Sequence, residues 1–264
     1  MKTFGFRMSA LMLALAAQGA TAFEYNVDLQ NTGTTTAYDV AIVLSGAETI
    51  TRTFDGYSSG VLAGHFDPPT ATPTSSGDTV IHWMNMDGVD APIPPGKTIH
   101  VGWSSQDCAS QIKDMYWTSK SHGRLRNSTI KNLTHNIVYN TGRFPDVVLT
   151  NTQAHDTAVL VRDVRFAVVD GSLPLEGLSS MNLELMQTLR PLKQGGTFVV
   201  APGQQLRLQI PVEVQPGQSL IAVWTTGGDE AQGAVSTPDA VQGARALHFM
   251  QRPNNPGGHD GSGC

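Results

Sequence analysis

Cysteine is almost absent, with Cys108 and Cys264 the only two in 264 residues. Neither a Cys-x-x-Cys pair nor a metal quartet can be built from them, which excludes thioredoxin and zinc-finger chemistry. Two readings stay open: a disulfide from Cys108 to Cys264, or a terminal thiol that links chains. Positive charge is also short, with 17 Lys and Arg against 22 Asp and Glu. A nucleic-acid partner needs a basic face to release counterions, so that class is excluded. The one basic island, Lys120 to Lys131, is rich in Ser, Gly and Asn and reads as a solvated connection. Beyond residue 22 no apolar run approaches the roughly 20 residues of a membrane-spanning helix. Helical periodicity is scarce as well. Only "LSSMNLELMQTL", Leu178 to Leu189, suggests a short helix.

Catalytic signatures are equally thin. "GYSSG" at 56–60 satisfies G-x-S-x-G, which would make Ser58 a nucleophile, but the loop-forming residues after it do not open a helix. "PPGKT" lacks the earlier glycine of a phosphate loop, because Ala91 stands there. Asp55, Asp67, Asp78, Asp87 and Asp90 sit mostly beside Gly or Pro, where turn duties explain them. The expectation is a protein that is not an enzyme, with no catalytic residues.

What is present starts with a leader. Lys2 and Arg7 precede the apolar run Met8 to Ala17 and the small-residue site Ala20-Thr21-Ala22. That order is the pattern of a secretory signal peptide over residues 1–22, and it predicts a periplasmic or secreted chain starting at Phe23. The far end, "RPNNPGGHDGSGC", is nearly free of apolar residues and reads as a flexible tail over 252–264.

Between them the chain repeats itself. "VDLQNTG" at Val27 lies over "VVLTNTQ" at Val147, and "PPGKTIHVGWSS" at Pro94 lies over "QPGQSLIAVWTT" at Gln215, at offsets of about 120. Short runs of Val, Ile, Thr and aromatics, punctuated by Gly, Pro and Asn, predict an all-β fold of two tandem immunoglobulin-like β-sandwiches. Their expected extents are 23–140 and 141–251, with the boundary between Asn127 and Asp146. In "QLRLQIPVEV" the residues Leu206, Leu208, Ile210, Val212 and Val214 fall on one face, with Pro211 marking an edge or a break. "QPGQ" then predicts a hairpin into "SLIAVW".

"NTGTTTAYDVAIVL" followed by "IPPGKTIHVGW" resembles the bacterial immunoglobulin-like adhesion repeats of the CARDB type. The second half departs from that pattern, with Gln153 where it has Gly. The resemblance implies an extracytoplasmic spacer, adhesion or assembly module with a protein partner of the cell envelope or self-association.

One stretch suggests a ligand. "IHWMNM" alternates His82, Met84 and Met86 with apolar residues, and "TIHVGW" sets His100 between Ile99 and Val101. A hairpin near Pro92 would bring His100 opposite Met84, and imidazole with thioether suits Cu(I). The alternative reading of function is therefore a periplasmic copper-binding protein with His82, Met84, Met86 and His100 as ligands. The plainer expectation is no cofactor, with methionine packing a core.

Overall fold

The computed structural model describes residues 23–56, 66, 69–85, 92–105, 111–139, 144–151, 158–171, 188–192, 196–228 and 244–252. The leader, Ser58, Met86, both cysteines, all but the first residue of the tail and most of Leu178–Leu189 lie outside them. The described residues form sixteen strands and no helix, so the all-β expectation holds. No helix among them is long and apolar enough to cross a membrane.

Three sheets, all antiparallel, make up the fold. The five-stranded sheet runs β4 (Thr70–Pro73), β5 (Thr79–Trp83), β2 (Asp39–Leu44), β7 (Ile112–Thr118), β8 (Arg124–Thr129). The three-stranded sheet runs β14 (Gln205–Gln209), β10 (Asp146–Thr150), β9 (Thr134–Val138). The eight-stranded sheet runs β12 (Arg190–Pro191), β11 (Val159–Asp170), β15 (Gln218–Gly228), β16 (Ala244–Gln251), β1 (Phe23–Gln30), β6 (Thr98–Ser105), β3 (Ile50–Gly56), with β13 (Phe198–Val200) also on β11. Proline at β12 sits on a sheet edge, where its missing N–H costs no ladder bond.

Two cores lie under this large sheet. The first gathers Tyr25, Val27, Leu29, Val40, Ile42, Ile81, Trp83, Val101, Trp103, Met115 and Trp117 against the five-stranded sheet. The second gathers Ile137, Val147, Leu149, Val161, Phe166, Leu208, Leu220 and Trp224 against the three-stranded sheet. They divide between Ile130 and Leu133, within the stretch where the sequence places its boundary. The sheet above them does not divide. β1 pairs with β6 on one side and with β16, the last strand, on the other.

The repeat explains how. Each of three strands ends on a Pro-Gly turn in the same way. Asn31 donates its N–H to Lys97 O at 2.8 Å and accepts from Gly96 N–H at 2.6 Å; Asn151 does so with Gln204 and Gly203 at 3.0 and 2.8 Å; Arg252 with Gln218 and Gly217 at 2.8 and 3.0 Å. Gly96, Gly203 and Gly217 all have positive φ, at 81°, 72° and 85°. A side chain completes each joint. Asn31 Nδ2 donates to Ile93 O, Asn151 Nδ2 to Val200 O, and the Arg252 guanidinium to Val214 O.

The structure therefore corrects the expected hairpins. "PPGK" and "QPGQ" carry the chain from one sheet to another, since β5 and β6 lie in different sheets, as do β14 and β15. Proline holds φ near −65°, so Pro-Gly makes a type II turn. Tight two-residue hairpins need φ above zero at the first central residue.

Candidate functional site

The alternation read from the sequence is right about faces. Ile81 and Trp83 point into the first core, as do Ile99, Val101 and Trp103, and the neighbours His82 and His100 point outward. The pairing is what differs. β5 pairs with β2 and β4, while β6 pairs with β1 and β3, so His82 and His100 lie on the outer faces of two different sheets. Met84 is half-buried just past β5, and Met86 lies outside the described residues. The structure does not bring the four expected copper ligands together. Among the described residues no group of three or more His, Cys, Asp or Glu is placed to hold a metal ion.

Each histidine instead joins a local polar cluster. On the five-stranded sheet Asp39, fully buried on β2, is the hub. Its Oδ1 accepts the Asn85 N–H at 2.9 Å, and its Oδ2 accepts the Thr118 hydroxyl at 2.9 Å. The same Oδ2 lies 2.8 Å from His122 Nδ1. His82 Nε2 reaches the Thr118 hydroxyl at 3.4 Å, and the two imidazoles meet edge to face at 6.2 Å. Burial pushes the His82 pKa down; the Asp39 carboxylate opposes this and the neighbouring His122 adds to it. His122 adopts a left-handed φ of 60° in the exposed β7–β8 turn. Asp39 thus ties that turn to the sheet and holds the segment after β5.

The second cluster lies on the outer face of the large sheet, and sequence reading missed it. Asp28 and His100 are directly opposite on β1 and β6, with His100 Nδ1 2.7 Å from Asp28 Oδ1. Both are at most 2% exposed. A carboxylate only accepts, so Nδ1 carries the proton and Nε2 presents its lone pair. That Nε2 has no partner. One pair further along, Asn26 faces Gly102, and neither of its amide atoms has a partner although the residue is 0% exposed. The Phe54 ring packs edge to face on His100 at 5.3 Å. The available signal was the period of two in "YNVDL", which puts Asn26 and Asp28 on one face beside His100.

A third feature joins the cores. Trp103 stacks on Tyr25 at 4.9 Å, Tyr25 meets His135 at 5.3 Å, and His135 meets Trp224 at 4.9 Å. Burial pushes the His135 pKa down to about 4, opposed only by its hydrogen bond with Leu133 O. The ring is neutral between aromatic faces at ordinary pH.

The comparisons with known proteins add no annotation to these clusters: no protein-family model, no curated protein and no solved structure matches the chain.

Proposed function

We propose that the protein is an exported, non-catalytic interaction protein of the cell envelope or extracellular space, built from two immunoglobulin-like units that act as one body. The observation that carries this reading is the shared sheet: β1 and β16, from the two ends of the chain, pair at the centre of the eight strands. A ladder of that kind resists separation of the units far better than a flexible linker does. Such a body holds whatever binds one unit at a fixed distance from whatever binds the other.

The acidic residues support the same reading by their occupations. Asp39 fastens a turn, and Asp78, Asp114 and Asp146 pair with Lys113, Arg124 and Arg207 at 2.7 to 2.9 Å. The leader supplies the compartment. The CARDB-like turn residues Asn31 and Gly96 sit where an adhesion-type repeat would use them, in the joint between strand end and Pro-Gly turn.

Fractionation with in-cell cross-linking tests the proposal. The chain from Met1 is expected outside the cytoplasm, and residues 23–264 expressed alone inside it. Cross-linking on intact cells is expected to join the exported chain to envelope proteins or to itself. Retention of the full chain in the cytoplasm would contradict the proposal.

A further inference from the structure

The joints at Asn31 and Arg252 relate β1–β6 to β16–β15 by a local two-fold axis in the ladder. Equivalence of Asn31 with Arg252 and of Lys97 with Gln218 maps the pair Tyr25–His248 onto Val27–Ala246, and both pairs occur. The axis passes through Asn26 and Leu247, which face each other.

Under this equivalence the outer faces of the two halves differ in one respect. Leu247, Ile221 and Val223 form an apolar cluster with Ala167 and Leu189. Their counterparts in the first half are Asn26, His100 and Gly102, and the position of Phe249 is taken by Asp28. One copy of the repeat thus shows that apolar residues close this face. The other copy puts three unmatched hydrogen-bonding atoms there and removes a side chain.

Leaving such atoms unmatched is costly, of the order of 1–3 kcal/mol for each buried polar group. A guest that satisfies them removes that cost. Its required chemistry follows from the atoms. His100 Nε2 needs an O–H donor, and the Asn26 amide offers both a donor and an acceptor. Those two residues are diagonal neighbours across the ladder, a few ångströms apart at their ends. The Phe54 ring presents an apolar wall. The near-complete burial of Asn26 and His100 confines the guest to a few heavy atoms.

We propose that Asn26, His100, Gly102 and Phe54 form a binding site for the vicinal-diol edge of a small polyol. One hydroxyl donates to His100 Nε2. The adjacent hydroxyl exchanges hydrogen bonds with the Asn26 amide, and the carbon chain lies over Gly102 against Phe54. Asp28 is a positioning residue, fixing the tautomer and the angle of the His100 ring.

The test uses the chain from Phe23 with nitrogen-15-labelled histidine, titrated with ethylene glycol and followed at the His100 ring. A saturable shift in the millimolar range is expected, consistent with so few ligand atoms. Gly102→Val copies Val223 of the other repeat, so the fold tolerates it; it is expected to weaken binding at least tenfold while the melting temperature holds. Asn26→Leu, copying Leu247, is expected to do the same. A linear, unsaturable response in the parent protein would overturn the proposal. So would equal affinity in Gly102→Val, or water-to-histidine Overhauser contacts showing that an ordered water alone fills the site.

Discussion

His135 is held neutral by burial, with its folded pKa near 4 against about 6.5 in an unfolded chain. Below pH 6.5 the unfolded chain takes up a proton that the folded chain refuses. Stability therefore falls as pH drops from about 6.5 to about 4, by roughly 3 kcal/mol for the whole interval, and this contribution levels off below that. Urea titrations at pH 7, 5.5 and 4.5 should show the decline, and His135→Phe should flatten it. An unchanged slope in His135→Phe would remove His135 as its source. Asp39 carries a second expectation. Asp39→Ala strands the Thr118 hydroxyl, the Asn85 N–H and the His122 ring together, so a loss of about 2–4 kcal/mol is expected by chemical denaturation. His122→Ala, which also relieves a left-handed φ, should cost under half of that. At this scale the sequence showed which way most side chains point, because a period of two decides it. It did not show that outward-facing Asn26, Asp28 and His100 are buried, since nothing in an alternating pattern reveals what covers the outer face.

The Pro-Gly joints are the element that repeats, and their chemistry makes a matched set of predictions. Gly96 and Gly203 have positive φ with open space where a Cβ would go. Alanine at either therefore introduces backbone strain and no clash, at a cost of about 1–2 kcal/mol in thermal melts. Asparagine, which tolerates that conformation, should cost less. Asn31→Ala and Asn151→Ala each leave the carbonyl of a buried apolar residue without its side-chain donor, and about 1–3 kcal/mol is expected for each. The repeat was legible in sequence, yet two of its three copies were matched and "APGQ" at Ala201 was passed over. The apolar face of "QLRLQIPVEV" was also legible: Leu208, Ile210 and Val214 all enter the second core, although β14 stops before Pro211. β11 hid its break. Val159 and Val161 face inward, then Val164 and Phe166, because a bulge at Arg162–Arg165 with Asp163 at φ 50° shifts the parity.

At the scale of the molecule, the two cores were foreseeable from duplication and the shared sheet was not. β1 and β16 are separated by more than 200 residues, and local patterning does not report which distant edges meet. That pairing decides whether the chain is two beads on a linker or one body. If it is one body, calorimetry should show a single transition in which the calorimetric and van't Hoff enthalpies agree. Truncation after Gly228 should abolish folding of both cores rather than of the second alone, because it strips the partner from both β1 and β15. The most direct measurement is solution NMR of the chain from Phe23, read for backbone Overhauser contacts between the first and last strands. The account predicts contacts in antiparallel order, joining Tyr25 to His248, Val27 to Ala246 and Leu29 to Ala244. Contacts of β1 with β6 alone, with none to β16, would contradict the shared sheet and the single-body function built on it.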